Sequence, residues 1–405
     1  MSVAVAFLTI FLELSTLGLG TGTTWMVSSR RWSVSSALAT TMPIAAVSGI
    51  VLAGVAVAIQ LLAPRAAFGG IPVADVLPML AALPLALVGR YVSQVALGAH
   101  RYGVSVGIPA IQALSYMIFV SSFAAASGLR GALLGVLASY AVMFLVAIAQ
   151  SRRLGEKFWT SQSAIPLKEL REAFNFGLNS YFATIIALVT YRFDLFLLSA
   201  YHGAAVVGYY SIAVGLSNTV WLFPASLSTV LLPRIASLGA QEESEGARLA
   251  TETRAYKHTS LMLLTAGAGV ALLAPFIIEP IYGARFASSI TPTLLLLPGA
   301  IALGFASIFY ATLSGQRQPR YALKGALVVM PLAVLVYFLM IPPFGADGAA
   351  AGSSIAYITS AVLAGYFLQH ASGLALLPRI SPGRAELREY RSFFTRTAPV
   401  KLGHR

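Results

Sequence analysis

The stretch FGLNSYFATIIALVTYRFDLFLLSAYHGAAVVGYYSIAVGLSNTVWLFPASLSTVLLPRIASL (176–238) decides how this chain is read. It holds two apolar runs, near 176–199 and 206–228, each long enough for the roughly 20 residues that a helix needs to cross a bilayer. Only a short break separates them. An Arg192-x-Asp194 pair lies inside the first run, Gly208-Tyr209 opens the second, and Pro224 and Leu232-Pro233 stand toward its end. Runs of the same kind recur along almost the whole chain of 405 residues, which is 58% hydrophobic and only 10% charged. A soluble domain carries about 25% charged residues, so the composition, with a mean hydropathy of +0.79, is that of an integral membrane protein. The longest polar stretches, Arg234 to His258 and the tail after Gln369, are too short for a folded catalytic domain.

Hydropathy windows of about 19 residues place about eleven spans, near 2–24, 41–62, 76–98, 104–126, 131–150, 176–199, 206–228, 259–280, 291–313, 325–342 and 349–369. The shortest connection is the one around Ser127 to Gly131. The expected fold is therefore an all-α polytopic membrane protein. Its parts are a first bundle (1–150), a linker (151–175), a second bundle (176–370) and a basic tail (371–405). Within the linker, Leu167, Leu170 and Phe174 share one helical face while Lys168, Glu169, Arg171 and Glu172 lie elsewhere, which predicts a short amphipathic helix on the membrane surface.

The formal charge of +13 suggests nucleic acid in a soluble protein, but here it reads as topology. Sorted by side, all Lys and Arg fall with the 151–175 loop except Arg65, Arg130 and Arg285 on the opposite side and Arg90 and Arg192 within spans. The positive-inside rule makes the crowded side, and with it the C-terminus, cytoplasmic. The basic tail, including Arg379, Arg384, Arg388 and Arg391, is expected to lie against anionic lipid. Met1 then starts outside, directly ahead of an apolar helix. Residues 1–20 have no basic leader and carry Glu13, unlike a secretion signal, so they read as a true span, and one preceding span is expected to be missing.

The absence of cysteine excludes disulfides, thiolate metal sites and cysteine nucleophiles. The five histidines are scattered at span ends and in the tail, without ligand spacing, so no metal or other cofactor is expected. Gly18, Gly20 and Gly22 form GxGxG, but inside an apolar helix with no preceding strand this reads as close helix packing rather than a nucleotide loop.

Taken in order, the 176–238 stretch, IYGARF (281–286), ATLSGQRQ (311–318) and IPPFGADGAAAG (341–352) resemble the second half of a bacterial polysaccharide flippase. The family is the lipid-linked oligosaccharide and O-antigen type of the multidrug/oligosaccharidyl-lipid/polysaccharide exporter superfamily. LSTLGLGTGTTWMVSSRR (14–31) and VALGAHRYG (95–103) resemble the family's second helix and the end of its fourth. The resemblance implies two pseudo-repeated bundles of six helices, with the 206–228 span as partner of the 2–24 span and the family's first helix absent. It also implies a transporter of the cytoplasmic membrane, not an enzyme, that flips an undecaprenyl-diphosphate-linked precursor through a cationic cavity by alternating access. The partners implied are that substrate, membrane lipids and a glycan polymerase or other polysaccharide-assembly protein, and no nucleic acid.

An ionised side chain at mid-bilayer costs about 2.5–3.5 kcal/mol on insertion scales, which singles out Glu13, Arg90, Arg192 and Asp194. In the functional reading the arginines hold diphosphate oxygens, since a planar guanidinium binds them in pairs. Glu13 and Asp194 then couple transport to a proton or cation. In the alternative, Arg90 pairs with Glu13 and Arg192 with Asp194 or a backbone carbonyl, to orient helices without touching substrate. Tyr91, Gln94, Asn179, Tyr181 and Asn218, with Tyr116, Tyr191, Trp221 and Tyr310, are candidates for stacking on or hydrogen bonding to sugar. Tyr209 and Tyr210 read as interfacial belt residues. Two other functions stay open on the residues. One is a cation-coupled multidrug antiporter, which needs cavity carboxylates; the other is a non-transporting component of a glycan-assembly complex. A membrane glycan polymerase or ligase would need a sizeable outer loop, and the outer loops are short.

Overall fold

The computed structural model describes residues 12, 18–62, 72–154, 165–239 and 245–381. Glu13 and the tail beyond Ser381 lie outside the described residues. In chain order the helices are α1 (Leu19–Ser28), α2 (Val34–Leu62), α3 (Val73–Leu80), α4 (Ala82–Gly98), α5 (Tyr102–Leu154), α6 (Leu167–Gly239), α7 (Glu245–Tyr282), a 3-10 turn (Ala284–Ser289), α8 (Ile290–Gly315), α9 (Arg320–Ser372) and α10 (Leu377–Ile380). No strand occurs among the described residues.

Eight stretches among the described residues are helical, long and apolar enough to cross a membrane. Two of them, α5 and α9, have 53 residues each, or about 80 Å at 1.5 Å per residue, far more than a hydrocarbon core of about 30 Å. Each folds back at a glycine: α5 at Gly128 (φ 59°, ψ −136°), next to a non-helical Ser127, and α9 at Gly345 (φ 55°, ψ −127°). α6 breaks in the same way at Gly203 (φ 79°, ψ 176°). These backbone angles are open to glycine and strained for a side chain with a Cβ. The short connection expected at 127–131 is thus a one-glycine turn.

The chain forms two compact units, residues 1–181 and 182–405. In the first, α4 is the central element and packs on α1, α2 and α5, burying Leu83, Leu87, Val92 and Val95 completely. α1 also packs against the start of α6. The carbonyl of Gly177 stands where a side chain on Gly18 would begin, that of Gly18 stands in the same place for Gly177, and that of Ala173 does so for Gly22. Two small-xxx-small pairs, Gly18/Gly22 and Ala173/Gly177, therefore bring two helices together backbone on backbone in antiparallel register. Gly20 faces the Gln94 side chain instead, so the GxGxG run is a packing surface, as its sequence context implies.

The predicted amphipathic helix over 166–174 is the opening of α6, which continues into the apolar run because nothing between Phe174 and Phe176 breaks it. Its acids are not simply solvated. Glu172 pairs with Arg31 at 2.7 Å, Glu169 accepts a hydrogen bond from the Trp32 indole at 2.9 Å, and Phe176 stacks on Trp25.

In the second unit α8 packs along α9 and against α7. The closeness comes from small residues once more: Gly299 meets the Cα of Ser354, and Ala349, Ala350, Gly352, Ser353, Ala356 and Ala364 are buried. In lipid, where apolar surface gains little by leaving the solvent, such contact and interhelical hydrogen bonds are what hold helices together.

The other end of this unit carries a charge cluster. Glu252 on α7 is fully buried and accepts from Arg379 at 2.6 Å and from the Gln316 amide at 2.8 Å, with Arg248 at 3.7 Å. Arg379 on α10 also donates to the Thr253 hydroxyl and lies over the Tyr256 ring at 5.2 Å. Arg379 is buried, not spread on lipid as expected, because a buried carboxylate 127 positions earlier holds it.

Candidate functional site

Arg90 sits in the middle of α4, half-buried, and its guanidinium donates to the carbonyl of Leu12 at 3.3 Å. One turn on, Gln94 is held from both sides: its side-chain oxygen accepts from the Thr24 hydroxyl at 2.7 Å, and Gly20 leaves room for its chain. The amide NH₂ of Gln94 is the end not taken by Thr24. Tyr91 is only 3% exposed and belongs to the packing of the unit. Asn179 bonds back to the Asn175 carbonyl one turn earlier, at 2.9 Å. Tyr181 is half-buried on the same helix.

In the second unit, Arg192 and Asp194 point to different faces of α6, as an i, i+2 pair must. Arg192 is exposed and Asp194 is 2% exposed. No ion pair joins them among the described residues. The Asp194 carboxylate is instead enclosed by hydroxyls: Tyr210 donates at 2.6 Å, Ser353 at 3.1 Å and the Leu195 amide at 2.7 Å. Tyr337 lies 3.1 Å from the Ser353 hydroxyl and extends the network onto the first limb of α9.

Tyr210 is therefore no belt residue; it is fully buried. The signal that could have found it is the spacing of buried positions Tyr210, Ala213, Ser217 and Val220, which marks one inward face of a helix. Asn218 lies on the rim of a small crevice with Ser217, Trp221 and Tyr357, whose free space of about 10 Å³ is about one water's worth. The Trp221 indole donates to Ser307 at 2.8 Å, Tyr191 packs edge-on against Tyr357, and the Tyr310 hydroxyl reaches the Ser360 carbonyl at 3.5 Å. These aromatic candidates take part in helix packing. No group of three or more metal-binding side chains occurs among the described residues.

Chemically, the first unit offers a cation and an oriented amide in mid-helix, and the second an enclosed carboxylate with an exposed cation half a turn away. Such groups can bind an anion or exchange a proton.

Comparison with known proteins places this architecture. Residues 3–291 match the family model described as polysaccharide biosynthesis protein. The probable low-salt glycan biosynthesis flippase Agl15 of Haloferax volcanii is 20% identical over 212 residues, covering 52% of this chain and 45% of that protein. The match thus spans less than half the length of that relative. Among solved structures, a mutant of the Vibrio cholerae MATE transporter VcmN superposes with a TM-score of 0.76 at 16% identity, covering 91% of this chain and 88% of that one. A MOP superfamily transporter from Pyrococcus furiosus, whose structure is described as having a binding pocket of reverse polarity, gives a TM-score of 0.74 at 16% identity, covering 91% and 87%. At these identities the likeness is one of fold. The chain is a multi-pass, all-helical membrane protein with the fold of MOP-superfamily transporters, and by its family match it belongs to the polysaccharide biosynthesis proteins.

Proposed function

We propose that this protein is a flippase that carries a lipid-linked oligosaccharide or polysaccharide precursor from the inner to the outer leaflet of the cytoplasmic membrane, with its C-terminus inside. The observation that carries the reading is the family match over residues 3–291, on a fold shared with membrane transporters. In this reading Arg90 and Arg192 hold the diphosphate, because each is a guanidinium inside an apolar span, where a planar fork of donors binds phosphate oxygens in pairs. Gln94, Asn179, Tyr181 and Asn218 hydrogen-bond or stack on the sugars, and Tyr91 supports Arg90 from within the packing of α4. Asp194, enclosed by Tyr210 and Ser353, couples the cycle to a proton or cation, with Glu13 as a second coupling carboxylate.

The bundles 1–150 and 176–370, joined through 151–175, are the moving halves of an alternating-access cycle. An inside-negative potential favours the outward passage of an anionic headgroup by about 2.3 kcal/mol per charge per 100 mV. The protein performs no catalysis and works beside a glycan polymerase or another assembly protein.

The test is translocation in proteoliposomes: a fluorescent polyprenyl-diphosphate oligosaccharide is expected to become accessible at the opposite leaflet, faster than in empty vesicles. Equal rates with and without protein would end the proposal. Efflux of a cationic dye from the same vesicles would favour the antiporter reading instead.

A further inference from the structure

The first limb of α9 has two apolar faces with different uses. Gly325, Val329, Ala333, Tyr337 and Ile341 are buried at every fourth position. The opposite stripe runs through Leu327, Val328, Leu335, Phe338 and Leu339, all about half exposed or more. That stripe faces hydrocarbon in a membrane. At its head, on the same face one and two turns earlier, stand Arg320 and Lys324, both exposed.

The two cations are organised rather than splayed. The Arg320 guanidinium lies 5.4 Å and the Lys324 ammonium 5.5 Å from the centre of the same Tyr321 ring. That ring is stacked on Phe367 of the second limb at 4.9 Å and a 25° tilt, which fixes it across the helix pair. Neither cation has an ion-pair partner among the described residues. From Lys324 to Leu335 the helix rises about 16 Å, the depth of one leaflet of a hydrocarbon core of about 30 Å.

Charge and shape together match one molecule: a phosphate head at the aromatic-backed cations, with acyl chains lying along the exposed stripe. We infer that Arg320, Lys324 and Tyr321 form a binding site for an anionic diacyl phospholipid on the outer wall of the second unit. The site differs from the proposed transport residues and stands whether or not the substrate reading holds.

The experiment uses the full-length protein purified in nanodiscs made from equal parts of phosphatidylglycerol and phosphatidylethanolamine. Co-purifying lipid is measured by native mass spectrometry. The wild type is expected to retain phosphatidylglycerol in excess, with the preference falling by about fivefold per cation removed in Arg320→Gln and Lys324→Gln. Tyr321→Leu keeps both charges but removes the ring that gathers them, and is expected to weaken retention less than either. Lys168→Gln/Arg171→Gln removes two exposed cations from the 166–174 segment and is expected to lower the preference much less than the Arg320→Gln/Lys324→Gln pair does. Circular dichroism and size-exclusion profiles check that each variant is folded. Undiminished retention in a folded Arg320→Gln/Lys324→Gln variant would overturn the site, as would an equal loss in the Lys168/Arg171 control. Displacement of phosphatidylglycerol by sub-stoichiometric polyprenyl diphosphate would also overturn it, making this a substrate contact.

Discussion

The backbones of Gly18 and Gly177 touch: each occupies the place where the other's Cβ would be, so helix α1 and the opening of α6 meet without an intervening side chain. Because Ala173 and Gly22 repeat the contact one turn along, the pair forms a seam rather than a single crossing. Gly177→Val is therefore expected to lower stability by about 1–3 kcal/mol, the range for overpacking, read as a lower unfolding temperature in detergent. Gly107→Ala, on a helix with open space around it, should be neutral or slightly stabilising.

Glu252 and Arg379 make the opposite kind of junction, a buried ion pair between distant segments. Removing one partner of such a pair strands the other and costs about 3–5 kcal/mol. Arg379→Met should thus be strongly destabilising, and Glu252→Gln nearly so. The joint replacement Glu252→Gln/Arg379→Met should recover much of the loss. Thermal unfolding of the four proteins gives the answer as a double-mutant cycle, and additive losses would mean that the two residues do not act as a pair.

By contrast the Arg31–Glu172 pair lies at the surface, with side chains 40% and 34% exposed. Exposed pairs contribute about 0–1 kcal/mol. Glu172→Gln should therefore shift the unfolding temperature little, and less still at high salt, while Trp32→Ala, which removes a buried ring as well as its bond to Glu169, should shift it far more.

Around Asp194 the donors are the test. Tyr210→Phe deletes the shortest of the three hydrogen bonds and is expected to destabilise by about 1–3 kcal/mol, as for an acceptor left underserved in a buried site. If the carboxylate couples transport, Asp194→Asn should retain the fold but lose the response of vesicle translocation to an imposed proton or sodium gradient. A variant that responds to both gradients as the wild type does would assign Asp194 to structure alone.

Arg90 separates charge from shape. Arg90→Lys keeps a cation and loses the paired geometry of the guanidinium, so translocation of a diphosphate-linked glycan should fall by about tenfold or more, with little change in unfolding temperature. An undiminished rate in Arg90→Ala would remove Arg90 from the substrate path.

How far the sequence led depended on the range of the interaction. Spans follow from local composition, and the turn at Gly128 and the packing of Gly18 and Gly22 were legible because only a few neighbouring residues decide them. Asp194 was legible as an intramembrane charge, but its partners were not. Tyr210 is 16 positions away and Ser353 is 159, and a tyrosine near a span end has the same local text whether it faces a headgroup or a carboxylate. That Arg192 points to another face was legible from the i, i+2 spacing alone; which hydroxyls take its place beside Asp194 was not. Arg379 misled for a similar reason: among so many basic residues near the C-terminus, nothing local marks the one that a buried glutamate holds.

The glycine turns at Gly128, Gly203 and Gly345 also bear on how the chain enters a membrane. A turn of one or two residues leaves no tether long enough for one helix to settle across the bilayer while its successor waits outside. The two helices of each pair are thus tied closely enough to enter as a hairpin, and a side chain with a Cβ at the turn would strain the connection itself before any question of transport arises.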